Sequence, residues 1–317
     1  MISPPAALPS ADPFRHEVLL YADETEYLAG TVPFVEAGLS AGEPVLVIVP
    51  QERLELLRTA LPTTHPLLQM ADMRTLGQNP ARLIPAWTDF ARPLLAEGRS
   101  TRGVGEPAWS ARSADELAEC AWHETLVNLA FGDAAGFSLL CPYDTLALDA
   151  AVIAGTHGSH PHVGGAHGAD ADLPYIDTVP DCLDGPLSPV PEGVEWITFD
   201  GTGHVELRAR TRTAAVAAGL DPQTVDDAVL AVNEAVANTV RHGGGRGRLS
   251  TWSDRGAFVC EIRDTGRIDD PLAGRRRPVI GHAGGRGLWL MTQICDLVQI
   301  RRVEGGQAIR VRLSDPR

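Results

Sequence analysis

The chain contains no lysine: all 27 of its basic residues are arginine, set against 41 acidic ones for a net charge of -14 over 317 residues. A Walker-type phosphate loop puts a lysine on the β/γ-phosphates, and a eukaryotic-type protein kinase needs one on its third strand. Both classes are excluded. The acidic balance repels phosphate backbones and argues against direct nucleic-acid or anionic-membrane partners. Cysteine is sparse and dispersed (Cys120, Cys141, Cys182, Cys260, Cys295) with no C-x-x-C pair. That suits a reducing compartment better than a disulfide framework or zinc finger. The longest apolar run, PVLVIVP, has the length of a buried strand and falls short of a bilayer. The opening MISPPAALPSADPF lacks the basic stretch and apolar core of a signal peptide. Together these absences predict a cytoplasmic protein.

What is present reads as two domains of ordinary size. HEVLLYA, then ETEYLAGTVPFVEAGLSAG, then PVLVIV spell strand, helix and strand, the unit of a parallel sheet. Further helices are expected over 80–97 and 114–131, and a buried strand over 137–144, giving an α/β domain over 14–175. A Gly- and Pro-rich linker occupies 176–194. Over 195–315 the pattern changes to strand WITFD, helices over 206–218 and 224–242, strands GRLSTWSD and AFVCEIRD, a helix over 288–295 and a last strand pair. That order predicts an α+β two-layer sandwich.

The helix over 224–242 carries Val225, Ala228, Val229, Val232, Val236 and Val240 as its core stripe. Glu234 and Asn238, four apart, are neighbours on another face. Taken alone, such a pair reads equally as a solvated surface. Two further elements bear on it. EIRDTGRI ends a strand on Asp264, a hydrogen-bond acceptor for an exocyclic amine, and Gly266 lets a flat base approach the backbone. AGGRGLWL places Gly284, Gly285 and Gly287 before a helix, where free N–H groups and the positive dipole end receive phosphate.

In that order, NEAVAN, RDTG and GGRGLWL resemble the nucleotide-binding boxes of the histidine-kinase-like ATPase (GHKL) superfamily. AVNEAVANTVRHG and GGRGLWLMTQICDLVQI are most similar to its anti-sigma-factor serine/threonine kinases. The resemblance implies ATP and Mg²⁺ as cofactors, with Asn238 holding Mg²⁺ through the ATP phosphates. Asp264 would read the adenine amine, Gly266 would pack by the base, and Gly284, Gly285, Arg286, Gly287 and Leu288 would form the phosphate loop. It implies Glu234 as general base for a serine or threonine hydroxyl of a partner, an anti-sigma-factor antagonist of STAS type. A sigma factor is a second implied partner, and a homodimer an expected assembly. The alternative is a non-catalytic, ATP-dependent switch that sequesters a sigma factor or antagonist. The chain departs from the family at Gln307, where a threonine is common. The proline-rich PLSPVPEGVEWITFDGTGH leaves no dimerising hairpin of a histidine kinase ahead of the ATPase segment. Arg275, Arg276 and Arg277 precede the phosphate glycines and read either as a phosphate clamp or as a solvated charge run.

FRHEVLLYADETEYLAGTVPFVEAGLSAGEPVLVIVP and FSLLCPYDTLALDAAVIAGTHGSHPHV resemble the MEDS sensory domain, named for regulators of methanogens and methylotrophs. That resemblance implies a RecA-like α/β sheet without a phosphate loop, and a small-molecule or protein signal as its ligand. His16, Cys141, Tyr143 and Asp144 fall at strand edges, where α/β sheets keep ligands. His157, His160, His162 and His167 form a dense set in a glycine-rich loop, readable as a transition-metal site or as a flexible linker.

Overall fold

The structure, a computed structural model, describes residues 12–164, 183–201, 204–278 and 285–315. It divides into two compact units. The first draws on 12–75, 86–111 and 127–164, the second on 76–85, 112–126 and the described residues from 183 onward.

The first unit is built on a parallel sheet. Its strands are β1 (Arg15–Tyr21), β2 (Val45–Val49), β3 (Leu68–Asp72), β4 (Thr101–Gly105), β5 (Phe137–Asp144) and β6 (His162–Val163), in the order β3-β2-β4-β5-β1-β6. Helices α1 (Glu24–Ser40), α2 (Gln51–Ala60), α3 (Met73–Leu76), α4 (Leu83–Ala96), α5 (Ala114–Phe131) and α6 (Ala150–Thr156) connect the strands, and the boundary between units falls within α3, α4 and α5. The β2 sequence VLVIV is buried at every residue, the continuous apolar run of a strand covered on both faces. α1 begins at Asp23, whose side chain accepts from the Glu26 N–H, and runs through Pro33 unbroken. Strand β4, TRGVG, has little intrinsic strand propensity. It forms because Gly103 and Gly105 leave room for the Trp87 ring, where a Cβ would lie 3.0 and 2.9 Å from that ring.

At the carboxyl ends of these strands sits a buried polar group. The Tyr21 hydroxyl donates to Glu106 Oε1 at 2.6 Å, and Arg53 binds Asp144 at 3.1 Å while its guanidinium lies over the Tyr21 and Tyr27 rings. Burial pushes the Glu106 carboxyl up to about 8; the Tyr21 hydrogen bond and Arg53 pull the other way and lose, because Arg53 stands 4.0 Å off and is engaged with Asp144.

The second unit is an antiparallel sheet covered by helices. α7 (His204–Ala217), α8 (Pro222–His242) and α9 (Arg286–Ile294) accompany β7 (Ile197–Asp200), β8 (Arg246–Asp254), β9 (Ala257–Asp264), β10 (Leu297–Val303) and β11 (Gly306–Leu313), ordered β10-β11-β9-β8-β7. The β8–β9 hairpin turns on Arg255 and Gly256, both at positive φ (50° and 77°), as a two-residue primed turn requires. α8 starts at the Asp221 cap with Pro222 in its first turn and buries Val225, Ala228, Ala231, Val232, Ala235 and Val236. Val229 and Val240, expected in that stripe, are only partly buried. Phe258, Cys260, Ile262, Ile309 and Val311 face α8 from the sheet side of the core.

Segment 76–85 contributes a 3-10 turn, Pro80–Arg82, that closes the far end of α9. Asn79 Nδ2 donates to the Thr292 and Cys295 carbonyls at 3.2 Å each, and Arg82 donates to the same two at 2.9 and 3.0 Å. The last carbonyls of a helix need such donors, and a cation there also complements the dipole. Glu119, 2% exposed, accepts from Arg275 at 2.7 Å and from Arg301.

Two outcomes follow. Glu119→Gln, which leaves two buried guanidinium groups short of a countercharge, is expected to cost on the order of 3 kcal/mol in denaturant unfolding; a loss below 1 kcal/mol contradicts it. For Glu106, both states are protonated below about pH 4.5, and up to about 8 only the unfolded chain gives up its proton. Native stability therefore falls as pH rises through that window. Glu106→Gln removes this term, so its advantage over the parent grows from pH 5 to 8 by on the order of a few kcal/mol. A pH-independent difference in urea midpoint sinks the assignment.

Candidate functional site: a carboxylate, a carboxamide and a helix end

α8 holds Glu234 and Asn238 one turn apart, both partly buried. α9 brings its first turn against them. A Cβ on Gly287 would lie 2.7 Å from Glu234 Oε2 and 3.4 Å from Asn238 Nδ2. The helix N-terminus reaches these side chains because residue 287 has no side chain of its own. Gly285, at φ 77°, is the N-cap and offers no side chain to cap the first N–H groups. Those groups, on Arg286, Gly287 and Leu288, have no intrahelical carbonyl to bind. Arg286 is exposed, and Leu288 packs against the core. Gly284 lies outside the described residues.

Asp264 ends β9, 9% exposed. Its Oδ2 accepts from the Thr239 hydroxyl at 2.6 Å and its Oδ1 from the Gly266 N–H at 2.8 Å. Each oxygen keeps a lone pair for a further donor. Gly243 makes this placement feasible, since a Cβ there would fall 2.4 Å from the Asp264 carboxylate. The first glycine after α8 thus does more than end the helix. Gly266 has its own Cβ side closed by the end of α8, at 2.8 Å from Gly243 Cα and the His242 carbonyl. Gln307 pairs with Asp264 across β11 and β9, is 3% exposed, and its Oε1 has no hydrogen-bond partner among the described residues.

Sequence reasoning missed Thr239 and Gly243. Their signal was adjacency: Thr239 follows Asn238, and Gly243 is the helix stop. Of the three arginines that read as either a phosphate clamp or a solvated charge run, Arg275 is spent on Glu119. Arg276 reaches Asp270 at 3.5 Å, and Arg277 lies over the Trp289 ring.

The residues present suit a magnesium nucleotide. Asn238 Nδ2 is buried without a hydrogen-bond partner among the described residues, beside a helix end whose donors lack a side-chain cap. A buried amide donor left in that state calls for an acceptor such as a phosphate oxygen or water, while Oδ1 of the same carboxamide is the atom that can face a cation.

In the first unit, the three described loop histidines, His157, His160 and His162, do not gather. His157 is exposed, His162 lies on β6 opposite Glu17, and His167 is outside the described residues. His160 alone turns inward, its ring 4.1 Å from that of His16. Tyr143 meets His160 edge-on, and Asp144 binds Arg53.

Compared with known families, residues 15–161 match the model described as MEDS, the methanogen/methylotroph DcmR sensory domain, and residues 202–313 match the histidine kinase-like ATPase domain. A comparison with curated proteins returns no significant match. Among the described residues, no helix is long and apolar enough to cross a membrane. With its parallel α/β unit and its helix-covered antiparallel sheet, the chain carries a MEDS sensory domain followed by a histidine kinase-like ATPase domain.

Proposed function

We propose that this protein binds Mg-ATP at the α8–α9 site and phosphorylates a serine or threonine of a partner, an anti-sigma-factor antagonist, under control of its MEDS domain. The observation that carries this reading is the seat of Gly287 on Glu234 and Asn238, which puts one carboxylate, one carboxamide and a helix N-terminus in a single contact. Phosphoryl transfer asks for little else, because positioning and charge neutralisation supply most of the catalysis. When bound, Mg-ATP supplies the transferable phosphoryl group. Asn238 is the residue to hold the cation through its Oδ1, and the first-turn N–H groups of α9 are the donors for phosphate oxygens. Asp264 is the acceptor for the adenine amine. Glu234 takes the proton of the attacking hydroxyl.

The anti-sigma assignment and its antagonist rest on the likeness of AVNEAVANTVRHG and GGRGLWLMTQICDLVQI to such kinases. A sigma factor as second partner, a homodimer and a cytoplasmic location belong to the same reading. The RecA-like reading of the first unit is supported by its parallel sheet, with β1 flanked by β5 and β6.

Asn238→Ala is expected to lose roughly tenfold or more of the Mg²⁺-dependent ATP affinity, the scale of one hydrogen bond to a charged group. Unchanged affinity by calorimetry removes the site assignment. Glu234→Gln should bind ATP as the parent does and transfer phosphate at a rate ~10²-fold lower or less. Labelled ATP with a candidate antagonist reads that out. A stable ATP-dependent complex without any transfer by the parent protein replaces the kinase with a binding switch.

A further inference from the structure

We propose that the MEDS unit contains a transition-metal site formed by His16, Cys141 and His160, taking Zn²⁺ or a related borderline first-row divalent cation. The donor atoms of the three side chains lie within 4.8 Å of one another, and all three residues are at most 2% exposed. They come from three places in the chain. His16 is on β1, and Cys141 is on the neighbouring β5, paired with Val18, whose side chain shares the His16 face of β1. His160 follows α6 and precedes β6, the other neighbour of β1.

The hydrogen bonds engage Nδ1 of each imidazole, which makes Nε2 the nitrogen to bind a metal. Asn128 Nδ2 donates to the Ser159 carbonyl at 2.6 Å, so the carboxamide must present Oδ1 to His16. That oxygen is 3.0 Å from His16 Nδ1, which therefore donates to it, and Nε2 lies 3.3 Å from Cys141 Sγ. His160 repeats the arrangement. Its Nδ1 lies 2.9 Å from the Thr156 carbonyl, so Nδ1–H donates there and Nε2 is the nitrogen a metal would take.

Two imidazoles, each with Nδ1–H spent on an oxygen acceptor, are what a metal's supporting hydrogen bonds impose on ligating histidines. The 3.3 Å between Nε2 and Sγ is close to the ~3.5 Å edge of a tetrahedral ion with bonds of ~2.0 Å to nitrogen and ~2.3 Å to sulfur. Two imidazoles and a thiolate favour Zn²⁺, Co²⁺ or Cu²⁺ over Mg²⁺ or Ca²⁺. On binding, the Cys141 S–H bond breaks, a sulfur–metal bond forms, and the proton leaves to solvent. Both imidazoles bind as neutral ligands, and no electron is transferred. The site is separate from the nucleotide site and does not depend on the kinase reading.

The test uses the full chain, stripped with a chelator and reloaded with Zn²⁺ or Co²⁺, with metal per chain measured by elemental analysis after removal of loose ions. The expected result is one tightly held ion per chain, and a Co²⁺ form with a thiolate-to-cobalt charge-transfer band. Cys141→Ser abolishes the band. Asn128→Ala, which frees the His16 ring, weakens Zn²⁺ about 10–100-fold. His157→Ala, an exposed change in the same loop, leaves binding intact. His16→Gln is the second ligand variant, with circular dichroism to check that each variant folds. No retained metal in the parent, no charge-transfer band, or equal metal content in the folded Cys141→Ser, His16→Gln and His157→Ala variants overturns the proposal.

Discussion

Asp264 is held by two hydrogen bonds and by a missing atom, and the geometry of the second unit follows from that. Thr239 and Gly266 each donate to one carboxylate oxygen, and Gly243 lets the carboxylate come within a distance no Cβ would tolerate. The end of β9 is thereby locked to the end of α8. Thr239 is the residue after Asn238, so the carboxylate suited to a base and the carboxamide suited to a cation stand in a fixed relation on one rigid helix. α9 is positioned independently from its other end, where Asn79 and Arg82 occupy the Thr292 and Cys295 carbonyls. A helix closed at its C-terminus and without a side-chain cap at its N-terminus is one whose unmet donors are all at the site.

The lysine-free composition has a structural counterpart. Each buried ion pair described above uses a guanidinium, which is planar, always charged and able to serve several acceptors at once. Glu119 sits between Arg275 and Arg301, and Glu261, fully buried, takes Arg263 at 2.6 Å and Arg310 Nε at 2.8 Å. In both cases each carboxylate oxygen takes its own guanidinium, and Arg310 reaches its oxygen with two nitrogens. These pairs also explain why the arginine run ahead of α9 is not one functional group: Arg275 is structural, while Arg276 and Arg277 are exposed.

Much of the architecture was legible from residue pattern. The strand over 137–144, the helix over 114–131 and the strand over 257–264 fall where the residue pattern placed them; the two strands are long and mostly apolar, while the helix also buries Glu119, His123 and Glu124. The elements that were not legible are those whose stability is borrowed. β4 is glycine-bearing and depends on Trp87, β3 is a short run of mixed polarity, and β6 is two residues long. The three motifs of the candidate site stand out in the sequence because their chemistry is local. Their supports, Thr239, Gly243 and the Asn79–Arg82 closure, do not, since nothing in local spacing says which residues meet across 25 or more than 200 positions.

The sequence by itself determined the order of a MEDS domain and a histidine kinase-like ATPase domain, the exclusion of lysine-dependent phosphate sites, and the residue types of the candidate site, because these rest on composition and short-range patterns. Tertiary structure decided which groups meet. It separated His160 from its loop neighbours and set it beside His16 and Cys141, and it assigned Arg275 to Glu119. It also made Gly243 and Gly287 points of contact with Asp264 and with the Glu234–Asn238 pair. Side-chain contact depends on where whole elements pack, and that is settled by burial over the entire core.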